Sequence, residues 1–307
     1  LLIVLISGGG SALLTKPRVC MEDLQKTTDL LLKSGANINE INTIRKHLSF
    51  VKGGQLVKDT KCKVISFIIS DIVDDPLEFI ASGPTYPDST TFTNAKEALE
   101  KYNLWSKVPK SVIKVIEDGM HGKIPDTPKK HDSIFDDVFN FIVANNKIAC
   151  EAASKKAENL GYRPLILTTS LEGEAREVGR YLVEKAINHL IDGKKVVFIS
   201  GGETTVTIKG NGRGGRNQEM VLSTIDLLDD KKVVFSSFAT DGIDGKSDAA
   251  GAIADAFSYA RAKNKNLDIQ SFLNDNNSYE FFKQIGDLLI TGPTGTNVMD
   301  IQILVKY

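Results

Sequence analysis

Residues 194–219 read Lys194-Lys195-Val196-Val197-Phe198-Ile199-Ser200-Gly201-Gly202-Glu203, then Thr204-Thr205-Val206-Thr207-Ile208-Lys209, then Gly210-Asn211-Gly212-Arg213-Gly214-Gly215-Arg216-Asn217-Gln218-Glu219. The first part is an apolar run of strand length that stops at two glycines and a carboxylate. The β-branched run Thr204–Ile208 predicts a second strand. Four glycines in six residues follow, with Arg213 among them and Arg216 directly after, and lead into an apolar-periodic segment from Met220 to Leu228. Glycines let backbone N–H groups approach an anion, and a helix N-terminus holds one favourably. Arginine adds a planar, permanently charged fork that matches phosphate oxygens. The same residues also make a tight hairpin and a helix cap with solvated arginines, so the loop alone leaves both readings open.

The tip Ile-Ser-Gly-Gly at 199–202 recurs at 6–9. Leu1–Ile6 reads as a fully buried strand, and Ser7-Gly8-Gly9-Gly10-Ser11 as the glycine turn that ends it. Together the two tips predict a pair of backbone anion cradles. The first is no dinucleotide fingerprint, because Leu13 stands where the third glycine belongs and no strand-end carboxylate follows. A Rossmann-type oxidoreductase is disfavoured on those grounds. A buried strand starting at residue 1, with no methionine before it, leads us to expect a segment upstream.

Beyond the first turn, residues 21–34 predict a helix stopped by Gly35, and Asn39 is the expected cap of the next one. Arg45, Lys46 and Lys52 then lead to Gly53-Gly54, either a solvated face or part of an anion site. Strand Val64–Ile69 ends at Ser70-Asp71, and strand Lys232–Phe238 ends before Asp241 and Asp244. Carboxylates at such strand ends suit a magnesium ion or a general base, and they are also ordinary turn residues. Gly245-Lys246-Ser247 imitates the tail of a P-loop, but Thr240 occupies a required glycine position. A restart of strand and helix patterns near 138, after a polar loop, predicts domains at 1–137 and 138–307.

Composition narrows the function classes. With 307 residues, 41% hydrophobic and 25% charged, the chain fits two ordinary globular domains. A net charge of −1 argues against nucleic-acid or membrane-surface binding. Cys20, Cys62 and Cys150 have no CxxC spacing and the four histidines form no zinc signature. No apolar run approaches the ~20 residues that span a bilayer. The expected setting is cytoplasmic.

Eight motifs in series carry a resemblance. They are Ile6–Leu13, Asn42-x-x-Arg45-Lys46-x-Leu48-Ser49-x-x-Lys52-Gly53-Gly54, Ser70-Asp71 with Ile80–Thr85, and Gly173–Arg176. The others are Ser200–Val206, Gly212–Glu219, Thr240-Asp241-Gly242-x-Asp244-Gly245, and Thr294–Val298 with Asp300. Across essentially the whole chain they resemble the type II glycerate kinase family, whose C-terminal part is a MOFRL domain, here from about 194. Some members have been labelled hydroxypyruvate reductases. The resemblance implies two three-layer α/β domains, the N-terminal one Rossmann-like, with the active site in the cleft between them. It implies ATP-dependent phosphorylation of D-glycerate, giving 2-phosphoglycerate in many members. Beside ATP, Mg2+ is the cofactor expected from the strand-end carboxylates, and the expected assembly is a monomer or homodimer. The catalytic candidates it carries over are Arg216, Asp71 and Asp241, with Asp241 and Asp244 for metal. Substrate or phosphate candidates are Ser7, Gly8, Gly9, Gly10, Ser11, Arg45, Lys52, Gly201, Gly202, Glu203, Gly214, Gly215 and Asn217. Family members also carry an upstream Gly-x-Gly-Lys stretch, and this sequence begins after it. A hydroxypyruvate reductase using NAD(P)H and a non-catalytic anion-binding relic are the alternatives.

Overall fold

The computed structural model describes residues 1–190 and 195–307, so Lys194 lies outside the described residues. The chain divides into two units: Leu1–Ile69 with Asp75–Val143, and Ser70–Asp74 with Ala144–Tyr307.

Unit 1 contains β1 (Leu2–Ile6), α1 (Gly10–Leu13), α2 (Met21–Lys33), α3 (Ile38–His47), β2 (Val64–Ile69), α4 (Phe92–Lys101), α5 (Lys110–Met120) and most of β3 (Val138–Ala144). The sheet order is β1-β2-β3, with β1 parallel to β2. β1 is not the fully buried strand its apolar sequence predicts. It is an edge strand, and Leu2, Ile3 and Leu5 are exposed. Leu5 pairs with Phe67, whose ring meets that of Phe141, so these side chains share one open face of the sheet. The helices build their own core from Leu31, Ile41, Ile44, Leu48, Phe92, Leu99, Val112 and Ile116. The cap of α3 is Asn37 and not Asn39. Asn37 is extended and exchanges hydrogen bonds with Glu40 in a capping box, whereas Asn39 is already inside the first turn.

Unit 2 contains α6 (Asn146–Asn159), β4 (Arg163–Leu171), α7 (Ala175–Asn188), β5 (Val196–Gly202), α8 (Arg216–Leu222), α9 (Ile225–Leu228), β6 (Val233–Ala239), β7 (Gly251–Ala254), α10 (Ser258–Asn264), α11 (Ile269–Asn274), α12 (Ser278–Ile285), β8 (Leu288–Leu289) and β9 (Asp300–Lys306). The sheet order is β4-β5-β9-β6-β7-β8, parallel only between β4 and β5. Every residue of β5 is buried, as its unbroken apolar run requires. Val196 and Phe198 pack into the large core with α7, α8 and α12, while Val197 and Ile199 pack against Cys150 and Ala157 of α6. The sheet therefore lies between two helical layers, a mixed α/β sandwich.

The expected second strand at Thr204–Ile208 does not form; only Thr205 makes a bridge, to Glu174. Backbone bonds with Gly173 and Ala175 serve Thr205, and side chains serve Thr207 and the residues after it. Glu174 accepts from the Thr207 N–H, and Asn276 accepts from the N–H groups of Lys209 and Gly210.

Candidate active site

β9 runs between β5 and β6, and its first residue, Asp300, lies opposite both Gly202 and Ala239. That register puts Glu203, one residue beyond β5, and Asp241, two beyond β6, on the same rim as Asp300. The glycines of the β5 tip make this possible. A Cβ on Gly201 would stand 1.8 Å from Asn146 Oδ1, and one on Gly202, at φ +144°, 2.2 Å from the Leu171 nitrogen. Asn146 needs that space because its Nδ2 donates to the carbonyls of Val298 (2.9 Å) and Asp300 (2.8 Å), fixing the start of β9. Gly201 and Gly202 thus stay in the ladder instead of forming the open anion cradle that the sequence predicts.

Arg216, the first residue of α8, reaches this rim. Its Nε and Nη2 donate to the two oxygens of Asp300 at 2.5 and 3.0 Å, and Nη1 lies 2.7 Å from Glu203 Oε1. Asp300 is fully buried and holds both prongs of the fork, whereas Glu203 is 44% exposed and holds one. Burial works against the guanidinium charge, but Asp300 and Glu203 outweigh it and raise the pKa above its ordinary value. Burial pushes Glu203 up, Arg216 pulls it down, and the charges of Asp300 and Asp71 push it up again; the outcome lies above the usual carboxylate range. Asp71 is brought to the same neighbourhood, and burial raises it too, against a bond from its own N–H. Two carboxylates thus hold one guanidinium, and Asp71 acts on Glu203 beside them, a surplus of negative charge.

Other residues of the glycine loop do structural work. Asp244 is a correction to the metal set expected from the sequence. It is buried, Oδ1 accepts from the N–H and Nδ2 of Asn217, and Oδ2 accepts from the N–H and Nε2 of Gln218. Both oxygens are thereby occupied, and the start of α8 is capped from inside the protein. Burial, with the charge of Asp300, pushes this carboxyl up to about 6 against the pull of the Asn217 and Gln218 N–H groups and the Gln218 side chain. The first N–H groups of α8 are consequently not offered to a phosphate. Asn217 is also buried, and its Oδ1 accepts from the Ser237 hydroxyl. Gly215 is required because a Cβ would meet Asp244 Oδ1 at 2.3 Å, and Gly214 because one would meet Ser278 Oγ at 2.2 Å. Arg213 lies 3.9 Å over the Tyr279 ring, donating to the Lys246 carbonyl and to Asp248. Asp241 keeps more freedom: Oδ1 accepts from the Ile243 N–H, and the side chain is partly exposed.

Unit 1 brings together a different subset. Gly9, at φ +82°, turns the chain after β1 and Ser7, with Gly8 and Gly10 on either side. Gly10 has no room for a side chain, since a Cβ would be 2.6 Å from that of Ala81. Ser11 then presents its carbonyl to Arg45 Nη2 (2.6 Å) and Lys52 Nζ (2.7 Å). Its hydroxyl meets that of Ser82 at 3.1 Å. Sequence reasoning missed Asn146, and saw Ser82 and Asp300 only inside motifs.

The comparisons with known proteins agree with one another. The family model described as a domain of unknown function, DUF4147, matches residues 1–117, and the MOFRL family model matches residues 196–300. The glycerate 2-kinase of Pyrococcus horikoshii is 48% identical over 99% of this chain and 70% of its own length. The D-glycerate 2-kinase of Thermotoga maritima is 42% identical over 98% of this chain and 71% of its own length. The crystal structure of the Thermotoga maritima glycerate kinase superposes with a TM-score of 0.89, covering 99% of this chain and 72% of that one. With eight motifs in order, both family models matched and close relatives alike over nearly the whole chain, this protein belongs to the type II glycerate kinase family.

Proposed function

We propose that this protein transfers the terminal phosphoryl group of ATP to the 2-hydroxyl of D-glycerate, giving 2-phosphoglycerate and ADP. The 2-position follows the names of the Pyrococcus and Thermotoga relatives. The observation that carries the chemistry is the geometry of Arg216. A guanidinium has five N–H donors, and Asp300 and Glu203 take three, leaving two on a fork already fixed in direction. Phosphoryl transfer asks the protein mainly for positioning and charge stabilisation, and a pre-oriented arginine supplies both.

Asp71 is the proposed acceptor of the hydroxyl proton. Its carboxylate meets no cation among the described residues, and burial makes it more basic than an exposed aspartate. Mg2+ fits the negative surplus around Arg216. No three His, Cys, Asp or Glu side chains form a metal cage among the described residues. Mg2+ takes one or two carboxylates and completes its shell with phosphate oxygens and water. Asp241 is the proposed ligand, and when bound the ion would neutralise phosphate charge.

Phosphorus NMR of the full chain with ATP, Mg2+ and D-glycerate tests the proposal. The expected result is 2-phosphoglycerate formed in step with ADP. Oxidation of NADH by hydroxypyruvate, without an ATP-dependent product, would overturn it in favour of a reductase.

A further inference from the structure

Unit 1 holds a pair of cations that the proposed chemistry has not used. Arg45 lies in the last turn of α3, and Lys52 follows in the next loop. Both donate to one neutral acceptor, the Ser11 carbonyl, and Lys52 is only 2% exposed. Neither is in an ion pair among the described residues. The contrast with Lys46 is informative. That lysine is fully buried as well, yet Glu78 (2.9 Å) and Asp88 (2.7 Å) neutralise it. Carboxylates thus neutralise the buried Lys46, whereas none among the described residues pairs with Arg45 or Lys52. A buried lysine and a half-buried arginine sharing one carbonyl are poorly compensated, and an anion is the missing partner.

The surroundings are built for the same place. The N–H groups of Gly53 and Gly54 donate to the carbonyls of Ser82 and Gly83. They hold a turn in which Ala81, Ser82 and Gly83 stand at φ 51°, 62° and 60°. Ala81 and Ser82 are residues that rarely adopt this conformation, and such strain gathers at functional sites. The turn brings the Ser82 hydroxyl to that of Ser11. Two hydroxyls, a lysine and an arginine fork thus converge on the glycine loop.

We propose that Arg45, Lys52, Ser11 and Ser82 form an oxyanion subsite that takes the carboxylate of D-glycerate or a phosphate of the nucleotide. The ligand oxygens replace the Ser11 carbonyl as acceptor. The identity of these two anions rests on the kinase function proposed above; the subsite itself rests on the uncompensated pair. Burial, and then the charge of Arg45, lowers Lys52 to about 8, and among the described residues no Asp, Glu or His side chain opposes them. A bound anion reverses that effect.

The test follows the Lys52 Cε resonance of labelled full-length protein, assigned by its loss in Lys52→Arg, across a pH titration. The unliganded midpoint is expected near 8, moving up by at least one unit with the right reactant. A shift with D-glycerate alone supports the carboxylate, and a shift with ADP alone supports the phosphate. If calorimetry shows both bound while the midpoint stays put, the subsite is wrong. Arg45→Gln and Lys52→Gln should weaken binding of that same reactant at least tenfold and leave the other unchanged, with Lys52→Arg recovering part of the loss. Turnover of the unmodified chain separates the two proposals. ATP consumed with D-glycerate but no Lys52 shift sinks the subsite alone. A shift with no glycerate-dependent turnover sinks the kinase assignment and keeps the subsite.

Discussion

Arg216 spends three donors on carboxylates of its own chain, so the geometry of its fork carries more weight than its charge. Arg216→Lys keeps the charge and loses the two-pronged hold on Asp300. Transition-state stabilisation should fall by roughly 2–4 kcal/mol, the scale of one preorganised donor, and steady-state kinetics should show it in kcat more than KM. Arg213→Lys should leave kcat near the parent value, because Arg213 stacks on Tyr279 and clamps its own loop. Asp71 and Asp241 separate in a magnesium titration. Both Asn variants should lose kcat, but only Asp241→Asn should recover as Mg2+ rises, since only a weakened metal ligand is offset by more metal. Lys52 gives a pH dependence with two signs. Its pKa falls on folding from 10.5 to about 8, so between those values the unfolded chain holds more protons and stability rises with pH. Anion affinity should fall through the same window as the charge is lost, which binding titrations at pH 7 and 9.5 would reveal. Part of this placement was legible in the sequence. Arg216 and Asp71 stand in recognisable motifs, whereas the Arg45–Lys52 spacing before two glycines left a solvated face and an anion site both open. The hold of Asp300 on Arg216 was not legible, because the two are 84 positions apart and no local pattern records the pairing.

Among the elements, α8 shows how a helix start that looks made for phosphate can be filled from within. Asp244 accepts four N–H bonds there, two of them from the backbone. Asp244→Asn would turn an amide NH2 against donors it cannot accept from, leaving buried N–H groups unpaired. We expect a loss of about 2–4 kcal/mol in urea unfolding, the range for hydrogen bonds to a charged group and a lost cap. Unchanged stability with an altered Mg2+ requirement would instead make Asp244 a metal ligand. β1, β2 and β5 were readable because each is an apolar run that stops at glycine or aspartate, whereas the short β7 and β8 were not read. Thr204–Ile208 misled because β-branched content measures fit to a pleated surface, and here the neighbours are the side chains of Glu174 and Asn276. The turn at Ala81–Gly83 was hidden for a different reason. Left-handed backbone at alanine and serine leaves no mark in composition; it is imposed by Gly53 and Gly54, some thirty residues earlier.

At the scale of the molecule, the division of the chain is not a single cut. Residues 70–74 leave the sheet of unit 1 and are counted with unit 2, where the Ser70 N–H donates to the Ala144 carbonyl. The motif reading followed the chain linearly and set its boundary at 137/138. A five-residue excursion has no composition shift to announce it, yet it is what carries Asp71 toward Glu203. The mixed α/β class was legible throughout, because strand and helix patterns alternate over the whole length.

The place of β9 has a further consequence for how the protein is made. β5 and β6 never touch; each is hydrogen-bonded to β9, which is translated after all the other strands. On the ribosome, then, the middle of this sheet stays empty until residues 300–306 have left the exit tunnel, however long β5 has been waiting. Unit 2 should close late and in one step, since its central contacts span about a hundred residues of sequence. Nascent chains arrested before residue 300 should expose Val196–Gly202 to proteolysis, and chains extended well past 307 by a linker should protect it. Protection of that strand in the shorter chains would mean the sheet forms without its centre.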